Sequence, residues 1–405
     1  MVAIMKQLEK LKIDNIMSVL KIIHLNPNIS KKNISILTGL SSTLLTNICN
    51  QLKEKKMIIE GNTLVSNKAG RREIALNMNY SLKKVIGVNI SSEFCEIVIS
   101  DLKPSLLFYK RIETKIANNK ELADSIFEAI ETYISESYLS TNDFIGIGIS
   151  AKGTTDKELG IVGEDFLEEK IKIKEYLSSK INLPIFIEND VKALAIAQNF
   201  FFPEDEDFFL IKYSIHGIGG AIFKDRNLYT AKENAVAKIG HVIIDPTKGY
   251  CPVCKRRGCL ESLISIQAIK KEIENSFSHA NFPILYKKLN GDFKNFSIDS
   301  FFESYNEGSI PINNLIRKSA SFMAQSIVNV SAILGNSKVI LYGDFFSKSE
   351  YLFLLEQYIR EYQLINMWDK INLSKLSIDQ ERLASCIIVI KNIFYTELNR
   401  YFHII

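Results

Sequence analysis

No apolar run in the 405 residues approaches the roughly 18 that a membrane-spanning helix needs, which excludes a helical membrane protein. The first segment, MVAIMKQLEKLKIDN, carries charges where a secretory leader has its apolar core, so a cytoplasmic chain is expected. Six cysteines are too few to staple a chain of this length through disulfides. Short-period repeats and low-complexity segments are missing as well. What is there is a chain 46% hydrophobic, too long for a single compact core and suited to two or three soluble domains.

The formal net charge of +4 hides an asymmetry. Residues 1–84 hold 14 Lys and Arg against 5 Asp and Glu, a balance of +9, and residues 85–405 hold 36 against 41, a balance of −5. Attraction to phosphates acts within about a Debye length, so the local balance matters more than the total. On charge alone a solvated basic face and a nucleic-acid site are equally open.

The pattern of the same segment separates them. Ile16, Val19, Leu20 and Ile23 recur at helical spacing from Asn15 to Leu25, and Asn26-Pro27-Asn28 stops that helix. Ser30 is placed to cap a second helix through Ile34 and Leu37, Gly39 to break it, and Ser41 to cap a third through Leu44, Leu45, Ile48 and Leu52. Two short helices across a glycine turn read as a helix-turn-helix. Residues 57–60, a Gly61-Asn62 turn, residues 63–65, the basic Lys68-Ala69-Gly70-Arg71-Arg72 and residues 74–76 then read as a wing. In such a unit the third helix enters the major groove, which nominates Ser42, Thr43, Thr46 and Asn47 for base and phosphate contacts and Arg71 and Arg72 for the wing. Lys53, Lys55 and Lys56 follow where the DNA backbone would pass. The alternative is a small helical domain whose basic residues only solvate it.

From Val85 onward, strand-like runs at 85–90, 95–100 and 106–110 give way to strands and helices in alternation, a pattern of an α/β domain large enough for two lobes. Strands are expected at 144–149, 185–188, 208–213, 220–223 and 339–342, with helices near 122–134, from 191, at 260–274, 314–334 and 381–398. The expected domains are residues 1–80, a first lobe of 81–200 joined by 380–405, and a second lobe of 201–379.

Cys251, Cys254 and Cys259 fall within nine residues, ten residues after His241. Three thiolates and one imidazole fill the tetrahedral shell of zinc and leave no position for water, so a structural Zn2+ is expected. Three free cysteines that happen to cluster is the plainer alternative.

Taken in order, Gly146-Ile-Gly-Ile149, Glu188-Asn189-Asp190, Gly217-Ile-Gly-Gly220, Ile239-Gly240-His241 and Gly258-Cys259-Leu260-Glu261 make the chain resemble the ROK family of repressors and sugar kinases. The N-terminal segment resembles the repressor branch. The resemblance implies a winged helix-turn-helix followed by a two-lobed, actin-like ATPase domain of ribonuclease-H-like topology with a zinc loop. It also implies a double-stranded DNA operator, a sugar or sugar-phosphate effector, and a homodimer or homotetramer.

It implies that Asn189, Asp190, His241 and Glu261 face the effector, with Asp190 at the position of the kinases' general base. Three departures remove what phosphoryl transfer requires. The first phosphate loop reads Val88-Asn89-Ile90-Ser91-Ser92-Glu93, without its Asp and glycines; His216 replaces a Thr in the second; Gly343-Asp344 replaces a glycine pair. Asp190 is therefore expected to be a vestigial base in a sensor and not in an enzyme.

The family's Gly-Glu-Ile-Gly-His appears as Ala237-Lys238-Ile239-Gly240-His241, so a hydroxyl-accepting carboxylate becomes an ammonium. Lys238 is expected to meet an anionic effector or to neutralise Asp190 or Glu261, and Lys192 adds a second charge. An empty, drifted pocket is the remaining alternative there. For the whole chain the alternatives are an ATP-dependent sugar kinase with an accessory DNA-binding domain, and a regulator docking a partner protein near the zinc loop.

Overall fold

The computed structural model describes residues 2–64, 73–91, 93–113, 119–156, 160–163, 172–230, 236–335, 337–362 and 367–393. The chain forms two compact units: residues 1–150, 173–187 and 382–405, and residues 151–172 with 188–381. Both are mixed α/β. No helix among the described residues is long and apolar enough to cross a membrane.

The first unit begins with helices Val2–Leu25, Lys31–Thr38 and Ser42–Glu54. The first starts at Val2 and not at Asn15 because Lys, Gln, Glu and Leu have good helix propensity; Ile16, Val19, Leu20 and Ile23 form its buried stripe. Ser30 and Ser41 accept hydrogen bonds from the amides of Asn33 and Leu44, and Gly39 closes the second helix in the left-handed region at φ 69°. Local cap chemistry thus sets both helix starts.

A small antiparallel sheet follows, in which Glu73–Met78 pairs with Ile29–Ser30 on one side and with Ile58–Leu64 on the other. Gly61-Asn62 is not the turn expected there. It is an irregularity inside one strand, because a side chain at Gly61 would lie 2.8 Å from the Asn77 amide nitrogen that donates to Asn28. The reversal falls between residues 64 and 73, and Arg71 and Arg72 lie outside the described residues.

Two five-stranded sheets organise the rest. In the first the order is Ile185–Asn189, Phe144–Ala151, Lys84–Ile90, Phe94–Asp101, Leu106–Glu113. In the second it is Asn227–Leu228, Gly217–Lys224, Phe208–Ser214, Lys338–Tyr342, Ile371–Leu373. Numbered along the chain, each sheet has the same order, 3-2-1-4-5, so one topology is used twice. In the second sheet Phe208–Ser214 is antiparallel to Gly217–Lys224 and parallel to Lys338–Tyr342.

Several elements were not expected: helices Ile173–Lys180, Pro283–Lys288, Ile298–Asn306 and Ser349–Tyr362, and the short strand Ile371–Leu373, although Ile298–Asn306 and Ser349–Tyr362 each bury one face. The helical stretch expected at 260–274 is broken at Ser265, whose hydroxyl caps the following helix by accepting from Ala268. The last helix is likewise divided, into Ile378–Arg382 and Ala384–Asn392.

In the first unit, helix Ala384–Asn392 packs directly on strand backbone. A Cβ on Gly148 would overlap the backbone carbonyl of Ser385, and one on Gly87 would overlap the side chains of Ser385 and Cys386. These glycines are the groove that seats the helix, whose residues 384–390 are all buried. In Gly148→Ala the obstacle is backbone and cannot rotate away, so a loss of about 3 kcal/mol or more is expected, at or beyond the usual range for overpacking. Urea unfolding should show a much lower midpoint or no folded protein, and a wild-type midpoint would disprove the seat.

Candidate functional site

All the effector residues named from the sequence lie in the second unit, around a cavity of about 210 Å³. Asn189 ends a strand and caps helix Asp190–Phe201, its side-chain oxygen accepting from the amides of Val191 and Lys192. Its amide nitrogen donates to the Gly153 carbonyl and to Asp190. These bonds point the Asp190 carboxylate at the cavity.

Asp190 is already engaged. The Lys212 ammonium, from the middle of strand Phe208–Ser214, lies 3.2 Å from its Oδ2 and 3.8 Å from Glu381. Burial disfavours the charge on Lys212, and the Asp190 and Glu381 carboxylates outweigh it, so its pKa is held above the ordinary lysine value. The sequence offered Lys238 either for an anionic effector or for neutralising Asp190 or Glu261. Lys238 lines the cavity as an exposed side chain, and the structure gives the pairing to Lys212. The available signal was a lone charge inside the apolar run Phe-Phe-Leu-Ile-Lys-Tyr-Ser, where a buried strand has no use for one.

Glu261 follows the cysteine cluster and opens helix Leu260–Ile264. Its carboxylate is seated on bare backbone: a Cβ on Gly217 would overlap Oε1, and one on Gly240 would lie 3.1 Å from Oε2. Gly217 also needs φ +122°. Gly219 approaches Val191 at 2.6 Å and Gly220 the Ala237 carbonyl at 2.8 Å, measured from the same imagined Cβ. Side chains are thus excluded at these glycines by the protein's own packing, while Gly217, Gly219 and Gly220 themselves line the cavity. Asp344 accepts from the Ile215 amide at 2.9 Å and braces the same turn.

His241 stands between this wall and the cysteines. Its Nε2 is 3.7 Å from Glu261 and its Nδ1 3.8 Å from the Cys251 sulfur. The ligand atoms of His241, Cys251, Cys254 and Cys259 all lie within 4.8 Å of one another, a group that could hold a metal ion. Backbone bonds set their register: Cys251 donates to Arg256 and Lys255 to Cys251, both at 2.9 Å, and Ile244 donates to Gly258 at 2.7 Å. Gly258, at φ +74°, lies so close to the Asp245 carbonyl that no side chain fits. Burial pushes the Cys251 thiol up to about 12. For Cys254 burial acts in the same direction, but hydrogen bonding from Arg256 outweighs it and brings the thiol below its ordinary value.

In the first unit, Ser42, Thr43, Thr46 and Asn47 are all exposed on one face of helix Ser42–Glu54, opposite the buried Leu45, Ile48, Cys49 and Leu52. Asn50 shares that face and was missed, although it is one turn beyond Asn47. Lys53 is paired with Glu60 at 2.8 Å. At the former phosphate loop, Asn89 donates to the Arg382 carbonyl at 2.8 Å and Ser91 binds Phe94, which closes a tight reversal between two strands.

A model of the ROK family matches residues 85–382. The xylose repressor of Caldicellulosiruptor bescii is 28% identical over 275 residues, covering 67% of this chain and 67% of the repressor. Among solved structures, a ROK family transcriptional regulator described as a homolog of E. coli Mlc superposes with a TM-score of 0.79 at 21% identity, over 96% of this chain and 99% of its own. The ROK hexokinase of Thermus thermophilus superposes with 0.61 at 19% identity, over 75% and 97%. These two likenesses establish a shared fold.

If the cluster binds metal, ordering of the loop from His241 to Cys259 should depend on it. Treating the protein with a strong chelator, or replacing Cys259 with Ser, should abolish bound metal in elemental analysis and open this loop to protease. A loop that stays protected after the metal is gone would show that hydrogen bonding alone holds it.

Proposed function

We propose that this chain, which belongs to the ROK family, is a DNA-binding transcriptional regulator of sugar metabolism genes, most naturally a repressor, with a sensor cavity in place of a kinase centre. The observation that carries the reading is the capped helix Ser42–Glu54 with its exposed row of Ser42, Thr43, Thr46 and Asn47. The row consists of short hydrogen-bonding side chains and is held rigid by a buried face. Its place behind a second capped helix and before an antiparallel pair of strands supports a winged helix-turn-helix, and the +9 of residues 1–84 supports a phosphate-facing role. The family's repressors support the regulatory output.

The metal reading is a structural Zn2+ held by His241, Cys251, Cys254 and Cys259. In tetrahedral coordination sulfur and nitrogen ligands stand about 3.6 to 3.8 Å apart, so the group needs only a small contraction. A neutral imidazole offering Nδ1 to the ion keeps its proton on Nε2, facing Glu261. When bound, the ion supplies cross-linking of the loop, and its full shell leaves no place for Lewis-acid chemistry.

A phosphoryl-transfer reading is disfavoured by Lys212. The Asp190 carboxylate is held by the Lys212 ammonium at 3.2 Å where a general base would have to be free to meet a sugar hydroxyl, and Asn89 is committed to the Arg382 carbonyl instead of metal. The proposed assembly is a homodimer or homotetramer presenting two helices to the half-sites of an operator, with the effector binding one arrangement more tightly than the other.

Asn47→Ala is expected to change base preference at one operator position by about 1 to 3 kcal/mol, and Arg71→Ala with Arg72→Ala to weaken all DNA roughly equally and flatten the salt dependence. Binding-site selection with salt titration measures both. If neither variant alters DNA binding, the reading is wrong. A coupled assay with magnesium-ATP and a panel of hexoses should give no turnover above buffer; sustained turnover would reinstate the kinase.

A further inference from the structure

Eight described residues other than glycine hold a positive φ, and two of them fall in the segment that carries the cluster. Ala237, at φ 62°, stands shortly before His241, and Lys255, at φ 57°, directly follows Cys254. A left-handed backbone brings Cβ against the following carbonyl oxygen, a strain that glycine avoids and that Asn and Asp tolerate better than Ala or Lys. The other left-handed positions between Ala237 and Cys259 are Gly249 and Gly258.

Each strained residue fixes the backbone of a cluster side chain. After Ala237 the chain reverses tightly: Lys238 lies at φ −74°, ψ 61°, the Ile239 amide donates to the Ala237 carbonyl at 2.8 Å, and the His241 amide donates to the Lys238 carbonyl at 2.9 Å. This inverse γ-turn leads directly to the His241 ring. Lys255 ends the turn that begins at Cys251, its amide donating to the Cys251 carbonyl at 2.9 Å. Lys255 is exposed and pairs with no carboxylate among the described residues, and Ala237 has only a methyl group. Neither side chain offsets the strain by a polar contact. Strained residues persist where their surroundings over-determine them. Two supports are on hand: packing, since the Ala237 carbonyl lies 2.8 Å from where a Cβ on Gly220 would be, and the four ligand atoms within 4.8 Å of one another, once an ion ties them.

We infer that Ala237 and Lys255 set the metal affinity of the cluster. The tied ligands hold both turns in the strained form, and each residue keeps the affinity below what a glycine there would give. The order of the loop, and the placing of His241 at the cavity, then follow metal occupancy. The inference rests on the zinc reading of the cluster and adds to it two positioning residues that are not ligands.

Zinc affinity of the full-length protein, measured by competition with a chromophoric chelator, tests this beside melting curves of the metal-free and zinc-loaded forms. Ala237→Gly should bind zinc about threefold or more tighter than wild type, the relief of strain less the extra freedom of glycine in an untied loop. Lys255→Ala removes the ammonium and keeps the strain, so Lys255→Gly should bind zinc about threefold or more tighter than Lys255→Ala. Tyr138→Gly, which relieves a left-handed residue at φ 54° outside the cluster, should leave zinc affinity unchanged. Metal-free melting of the glycine variants should not rise above that of wild type and of Lys255→Ala. Unchanged affinity at either position, or equal stabilisation of metal-free and zinc-loaded forms, would show that packing holds the strain and would overturn the inference. Wild-type protein that takes up no zinc defeats the zinc reading and the inference with it, whereas zinc bound equally tightly by every variant defeats the inference alone.

Discussion

The sensor cavity depends on one imidazole shared between two structures. His241 presents Nδ1 to the cysteines and Nε2 to Glu261, so the cavity wall and the loop whose cluster could hold a metal meet in a single ring. The loop has little regular structure, only the isolated bridges Ile243 to Cys259 and Tyr250 to Arg257, and the Arg256 guanidinium donates back to the His241 carbonyl at 3.0 Å. A loop with so little ladder stays shaped only if its side chains are tied. Tying them fixes the ring, the ring faces the Glu261 carboxylate, and the carboxylate is already confined between the backbones of Gly217 and Gly240. Cluster and cavity therefore share one side chain, His241.

How much of this is legible in the sequence follows from how local each cause is. Ser30, Gly39 and Ser41 act on amides three or four residues away, so their roles can be read directly. The spacing of the cysteines after His241 is nearly as local, and it brings together the four side chains it nominates. The glycines are a different case. Gly148 is conspicuous in sequence, but its reason is the Ser385 carbonyl, and Gly61 answers to Asn77. A glycine announces that something comes close without saying what. The same ambiguity affects Gly217 and Gly220, which resemble a phosphate cradle, but whose missing side chains leave room for Glu261 and the Ala237 carbonyl.

Lys212 shows the other limit of a one-dimensional reading. Its partners Asp190 and Glu381 lie far away along the chain in both directions, and nothing in the local pattern links them. Lys238 was nominated because it stands in a motif; Lys212 stands in none. What identifies it is energetic: an ammonium inside a buried strand must be compensated, and one of the compensating carboxylates, Asp190, lines the cavity with it. The residue that most alters the chemistry of Asp190 is thus outside every recognisable motif of the site.

The charge distribution carries the same lesson to the level of the whole chain. A total of +4 describes neither part: the first 84 residues are strongly basic, the remainder is acidic, and within the acidic remainder the cavity lining is basic again. Because a potential is felt over only about a Debye length in open solution, and is screened less inside a cavity, each level acts on a different partner. The basic balance of residues 1–84 favours phosphate backbones, and the acidic balance of the rest does not. The lysines inside act only on a molecule small enough to enter.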